Sequence, residues 1–265
     1  MHTRDELVGQ LRSLGVAAGD LVMVHASLRA IGKVVGGPDE VHLAIKDAVT
    51  PEGTLLMYAS CPRHYDEIGR GNLTPSEERE VLENLPPFDS LTARSAYDNG
   101  ALVELLRTWP GSRVNDHVAR FVAWGKHTDI LFSEQPWDFA FGYGSALERF
   151  TELDGKILLL GSDHDNVTYL HYPEHIADFE NKRIARFKVP ILEDGQRVWR
   201  EMAEVDTEKK AHDNWPENFF STIVDGYLSE TGNRGGLVGG ASSYLMPARG
   251  LLGYALAEME RVAAG

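Results

Sequence analysis

The apolar positions fall into two kinds of pattern. Residues 4–14, RDELVGQLRSL, set Leu7, Val8, Leu11 and Leu14 at helical spacing. The next run, LVMVHASL after Gly19-Asp20, is apolar without alternation until His25, which predicts a strand buried on both faces. Pro38-Asp39-Glu40 opens a second helix, with proline near its first position and acids in its first turn. GTLLMYAS (53–60) and RFVAWG (120–125) predict further strands, and KILLLG (156–161) is the clearest buried strand in the chain. GALVELLRTW (100–109), closed by Pro110-Gly111, and LLGYALAEMERVAA (251–264) read as amphipathic helices. RFKVPIL and RVWREMAEV, joined through Asp194-Gly195, predict a hairpin. Helix and strand alternate, so the fold class is α/β. Residues 61–95 break the pattern: they are polar, carry prolines and lack strand periodicity, and predict a long irregular insertion of the binding-loop or lid kind. No linker divides residues 1–265, which predicts one domain.

Composition narrows the function classes. The chain has 265 residues with 43% hydrophobic and 25% charged positions, ordinary for a globular protein able to bury a large core. Its 40 acidic against 26 basic residues give a net charge of −14, which argues against nucleic acid and favours a cationic small molecule. The single Cys61 excludes an internal disulfide and fits a cytoplasmic location. The N-terminal MHTRDELVGQ lacks the apolar run of a secretory leader, and no stretch approaches membrane-spanning length.

The densest chemistry follows the clearest strand, where open α/β sheets place their ligands. Residues 163–175, DHDNVTYLHYPEH, hold three histidines, three carboxylates and a threonine. His171-Tyr172-Pro173-Glu174-His175 spells H-x-x-E-H, the inverted zinc-protease pattern. That pattern needs both histidines on one helical face, and Pro173 between them predicts a helix starting at Pro173 with His171 outside it. No third ligand is obvious, so zinc is the weaker reading. Other schemes do worse. GYGSA (142–146) misses the spacing of a nucleophile elbow, Cys61 reads as core, and GGPDE and GNRGGLVGG read as turns. The stronger reading is a metal-free acid/base cluster. His171 takes a proton near neutral pH, Glu174 orients it, and the Thr168 hydroxyl stands ready for a developing oxyanion. Asp163 and Asp165 add negative charge at the same strand end.

Five segments in order carry a family resemblance: GDLVMVHASLRAIGKVVGGPD (19–39), EGTLLMY (52–58), WPGSRVNDHVARFVAWG (109–125), LLLGSDHDNVTYLHYPE (158–174) and GGASSYLMPARGLL (239–252). Together they resemble the aminoglycoside N3-acetyltransferases, the antibiotic N-acetyltransferase family, and the wording of the fourth segment with the EDGQRVWR hairpin is similar to the type IV branch. Departures from the family pattern are Asp116 where histidine is usual, His117 and Arg120 for the usual proline and serine, and Pro173 within the signature.

The resemblance implies a mixed central sheet flanked by helices and direct acetyl transfer from acetyl-CoA to the 3-amine of a 2-deoxystreptamine ring, with no metal. It implies His171 as general base, Glu174 as its partner and Thr168 steadying the thioester oxygen. Coenzyme contacts are implied for His25, Ala26, Ser27, Leu28 and Arg29 with Gly36, Gly37 and Arg113. For the cationic aminoglycoside the candidates are Tyr65, Asp66 and Glu67 in the insertion, Asp163, Asp165 and Glu174. A homodimer is the oligomeric expectation. Three alternatives stand beside this reading: acyl transfer to another amine, sequestration of a cationic drug without catalysis, and the zinc hydrolase.

Overall fold

The computed structural model describes all 265 residues. Nine strands form: β1 (Leu21–Ala26), β2 (Thr54–Tyr58), β3 (Arg113–Val114), β4 (Phe121–Gly125), β5 (Lys156–Leu160), β6 (Ile184–Glu193), β7 (Gln196–Val205), β8 (Gly236–Val238) and β9 (Ala241–Pro247). The α-helices are α1 (Arg4–Leu14), α2 (Leu28–Ile31), α3 (Asp39–Val49), α4 (Pro75–Asn84), α5 (Ala101–Arg107), α6 (Thr128–Leu131), α7 (Ala146–Glu152), α8 (His171–Ile176), α9 (Phe219–Thr231) and α10 (Ala248–Ala264). Seven strands make one mixed sheet in the order β3-β4-β2-β1-β5-β9-β8, and β6 with β7 makes a separate two-stranded sheet. β1 is central and runs parallel to both β2 and β5, while the outer pairs are antiparallel.

The continuous apolar runs are explained by two cores. Side chains alternate across a strand, so Met23, Leu56, Ile157 and Leu159 enter one core with Phe150 of α7, Ile223 of α9 and Leu251 of α10. Val22, Val24, Leu55, Leu158 and Leu160 enter the other, with Leu7 and Leu11 of α1, Ile45 of α3 and Leu102 of α5. Each fully buried aliphatic side chain contributes roughly 1.5–3 kcal/mol of transfer free energy. Helices cover both faces, so the strands read as unbroken apolar stretches.

The hairpin forms as expected. Asp194 and Gly195 both have positive φ, 50° and 76°, as a tight Asp-Gly turn requires. Its inner face, Phe187, Val189, Ile191 and Met202, meets Tyr65 and Phe88 of the insertion in a third core.

The insertion is therefore more ordered than its composition predicted. It carries α4, opened by a Thr74–Glu77 capping box with Pro75 in the first turn. Isolated bridges Ile68↔Lys188 and Phe88↔Ile191 tie it to the hairpin. The glycine-rich GNRGGLVGG segment, expected as a turn, contains edge strand β8. No helix is long and apolar enough to cross a membrane.

Candidate active site

β5 hands the chain to the site through Gly161, which adopts φ +65°; a Cβ there would lie 2.5 Å from that of Ala30 and 2.9 Å from that of Ala241. Two 3₁₀ turns follow, His164–Asn166 and Thr168–Leu170, and the chain then enters α8. The Asp163 carboxylate accepts from the Asp165 amide at 2.9 Å and so fixes the first turn. α8 begins at His171, not at Pro173. Pro173 is the third residue of the first turn, where backbone N–H groups have no helical acceptor, so its missing donor costs nothing.

His171 is held on several sides. Its Nδ1 lies 2.9 Å from Glu174 Oε2, and Thr207 Oγ1 donates to the same carboxylate oxygen at 2.8 Å. A carboxylate only accepts, so Nδ1 is the donor, and in the neutral imidazole the lone pair lies on Nε2. Phe141 stacks on the imidazole with centroids 4.9 Å apart and planes 27° apart, and Phe220 meets it edge-on at 5.1 Å. Glu174 is fully buried, and its Oε1 has no hydrogen-bond partner.

Two clefts of about 280 Å³ each meet at His171 and Asp165. The first runs along the C-terminal ends of β1 and β2 and is lined by His25, Ala26, Tyr58, Asn99, Ser162 and Thr168. The second lies beneath the loop between β7 and α9. It is acidic, with Asp165, Glu174, Glu208 and Glu217 against the single cation Lys210. Asn72 Nδ2 donates to Glu208 at 3.1 Å, so the insertion steadies a carboxylate of this cleft.

The expected catalytic trio thus comes together: His171 and Glu174 in contact, and Thr168 buried on the wall of the first cleft. Burial, and then the nearby His171, push His25 down to about 4, and its buried Nε2 has no partner. Of the residues implied for coenzyme, His25 and Ala26 line this cleft. Ser27 caps α2 by accepting from the Ala30 amide at 3.3 Å, which leaves Leu28 and Arg29 on that short helix. Gly36 and Gly37, at φ 96° and 101°, form the loop leading to α3. Arg113 lies outside both clefts, on the edge strand β3 and paired with Asp129.

The acids divide similarly. Asp165 lines both clefts, while Asp163 is engaged by its own turn and by Ser221 Oγ at 3.4 Å. Tyr65 and Glu67 are not at the clefts. Tyr65 packs edge-on against Phe88, and the buried Glu67 is taken by Arg63 at 2.5 Å and His64 at 3.1 Å. Asp66 lines a smaller cavity of about 50 Å³ beside Arg70, Tyr58 and Phe141. Sequence reasoning missed Thr207, Glu208 and Phe141, which come from distant loops, and Phe220, which comes from the start of α9; none has a motif of its own.

The departures in 113–125 have structural uses. Arg120 is fully buried and donates to the carbonyls of Ser60, Ser90, Ala93 and Arg94, which folds the end of the insertion onto β4. His117 accepts from the Ala119 amide at 2.9 Å and lies against Trp137. The H-x-x-E-H match is not a ligand set, because His175 Nδ1 faces the His171 carbonyl and its Nε2 faces Glu204. No three His, Cys, Asp or Glu side chains converge as metal ligands.

Comparison with known proteins assigns the chain to a family. Residues 23–260 match the profile of the family described as aminoglycoside 3-N-acetyltransferase. The chain is 37% identical over 260 residues to aminoglycoside N(3)-acetyltransferase III of Pseudomonas aeruginosa, spanning 98% of this chain and 94% of that protein. Among solved structures, AAC-IIIb in its binary complex with CoASH is similar at TM-score 0.91 and 36% identity, covering 98% of this chain and 96% of its own. AAC-VIa bound to sisomicin follows at 0.90 and 34%, covering 99% of each. A gentamicin complex of AAC(3)-IVa reaches 0.79 and 27%, covering 98% of this chain and 89% of its own. With the family profile matched over most of its length, the chain belongs to the aminoglycoside 3-N-acetyltransferase family and is an acetyltransferase.

Proposed function

We propose that the protein transfers acetyl from acetyl-CoA to the 3-amine of aminoglycosides, conferring resistance to them, with His171 as the general base. The observation that carries the reading is the His171 Nδ1–Glu174–Thr207 arrangement, which leaves Nε2 basic where two clefts meet. The acidic cleft suits a polycation, with Asp165, Glu208 and Glu217 taking substrate ammonium groups. The cleft along β1 receives the thioester, with the Thr168 hydroxyl toward its carbonyl oxygen.

The amine gives its proton to His171 Nε2 as its nitrogen bonds to the thioester carbon. The tetrahedral centre collapses with loss of the C–S bond, and the departing thiolate takes from His171 the proton that the amine gave up. Glu174 stabilises the imidazolium between these steps, and no acyl-enzyme forms. A cytoplasmic location and a homodimer complete the proposal. The reducing compartment suits the free, buried Cys61, whose thiol burial pushes up.

The test is thiol release from acetyl-CoA on a panel of aminoglycosides, apramycin included. Stoichiometric thiol and 3-N-acetylated product are expected. Drug binding without thiol release would make the protein a sequestering binder, and release with other amines alone would move it to another substrate class.

A further inference from the structure

His175 has no role in the transfer described above, yet it is almost wholly buried, its side chain 3% exposed, against Glu204 at 8%. Both of its ring nitrogens face acceptors. Nδ1 lies 2.7 Å from the His171 carbonyl oxygen, and Nε2 lies 2.6 Å from Glu204 Oε2. A neutral imidazole has one N–H, and a carbonyl cannot donate, so the Nδ1 proton goes to His171 O. The contact with Glu204 then needs a second proton, shared by the two side chains. The other Glu204 oxygen accepts from the Ala140 amide at 2.5 Å. The residue after Ala140 is Phe141, whose ring is stacked on His171 and meets His175 edge-on at 5.8 Å.

One carboxylate on β7 thus holds both flanks of His171. Through His175 it grips the first turn of α8, and through Ala140 it fixes the loop that lays Phe141 on the imidazole. We infer that His175 and Glu204 are a positioning couple that sets the aim of His171 Nε2, without touching substrate or coenzyme. This rests on His171 being the base. A reacting group displaced by about 1 Å can lose on the order of 10²-fold in rate, so the couple acts on kcat and leaves substrate binding alone.

Three variants test it: His175→Asn, Glu204→Asp and Glu204→Gln. His175→Asn is too short to span both partners, and Glu204→Asp keeps the charge but withdraws it by one methylene. Both should lower kcat at least ~10-fold with KM within about twofold. Glu204→Gln keeps the span: its carbonyl can accept from Ala140 while its amide donates to Nε2 of a neutral His175. It should hold kcat within about threefold of wild type. Wild-type kcat in His175→Asn or Glu204→Asp overturns the inference, as does a Glu204→Gln variant as slow as Glu204→Asp. If His175→Asn does not fold, the two Glu204 variants decide between them. His171→Ala separates the two readings. If it turns over normally, the base assignment fails. If it is inactive while His175→Asn and Glu204→Asp are unimpaired, only the positioning couple fails.

Discussion

Thr207 Oγ1 donates to the same Glu174 oxygen that faces His171 Nδ1, 2.8 Å from one side and 2.9 Å from the other. The hydroxyl comes from the loop after β7, so the His171–Glu174 pair is closed by a residue from beyond the hairpin. A carboxylate oxygen held from two directions fixes the imidazole rotamer as well as its tautomer, as a catalytic base requires.

Removing the proposed base should therefore be costly. His171→Ala is expected to lower kcat by at least ~10²-fold with folding intact, because general-base assistance is typically worth about 10²–10⁴-fold. Thr207→Val keeps the volume and removes one of the two donors to Glu174, and a loss of about 3–10-fold is expected. Steady-state kinetics beside a far-UV spectrum check both, and near-normal turnover in His171→Ala would remove it as the base.

Activity should survive exhaustive EDTA treatment. His175 is committed through both nitrogens to the His171 carbonyl and Glu204, so the H-x-x-E-H pair cannot close on one ion without breaking one of these short hydrogen bonds. Loss of turnover on chelation, with recovery on adding zinc, would bring back the metal reading.

The legible parts of the chain were those where one physical signal acts alone. β1, β2, β4 and β5 are buried on both faces and read as apolar runs, and the Asp194-Gly195 turn declares its own geometry. His171 and Glu174 were legible because they stand three residues apart in one short cluster after the clearest strand, although the helix that joins them begins at His171 and not at Pro173. α4 was missed although Thr74-Pro75-Ser76-Glu77 is a helix-start signal, because the helix buries no residue and its sequence is dominated by charge. β9 hid because its burial alternates irregularly beside glycines and ends in Pro247. Thr207, Glu208 and Phe220 could not be found from spacing, because the loop after β7 and the start of α9 meet α8 only in the folded chain. The insertion candidates separate for tertiary reasons: the third core turns Tyr65 inward, Glu67 is engaged by Arg63, and Asp66 lines the small cavity beside Arg70, Tyr58 and Phe141.

Glu208 offers a test of the acidic cleft. It is held by Asn72 and lines the cleft beneath the loop after β7. A partly exposed ion pair contributes about 0.2–1 kcal/mol, so Glu208→Gln should raise KM for a polycationic aminoglycoside up to about fivefold with kcat little changed. The difference from wild type should shrink as ionic strength rises. KM equal to wild type in low salt would remove Glu208 from the substrate site.

Acid should destabilise the fold before carboxylates titrate widely. Burial pushes His117 down to about 4, and its Nδ1 must stay unprotonated to accept from Ala119. The unfolded chain, with histidine near 6.5, binds the extra proton first, so stability is complete above about pH 6.5 and is lost as pH falls toward 4. By pH 5 the loss from His117 is about 2 kcal/mol. Urea midpoints measured at pH 7 and pH 5 should separate accordingly, and His117→Gln should flatten that slope whatever it does to stability at pH 7. An unchanged slope would assign the acid lability elsewhere.

Lys46 makes the opposite kind of prediction, since its removal should help. It is 5% exposed on α3, and its Nζ has no hydrogen-bond partner. Its neighbours are the rings of Trp109 and Trp124, at 5.4 and 5.0 Å from the ammonium. Cation–π contact returns part of the lost hydration, about 2 kcal/mol for a desolvated pair, but burial still pushes Lys46 down to about 8. At pH 7 the fold therefore holds a cation whose hydration is not fully replaced. Methionine matches the length of the stem and stacks on indole without a charge. Lys46→Met should raise Tm by a few degrees, the equivalent of about 1 kcal/mol for a chain of this size, and should leave kcat unchanged because the residue lines neither cleft. Differential scanning calorimetry at pH 7 reads the shift. The charge penalty fades as pH rises from about 8, where folded Lys46 begins to lose its proton, to about 10.5, where the unfolded chain loses it too. The gain should shrink across that window; a loss of Tm at pH 7 would mean that the tryptophan pair compensates the charge in full.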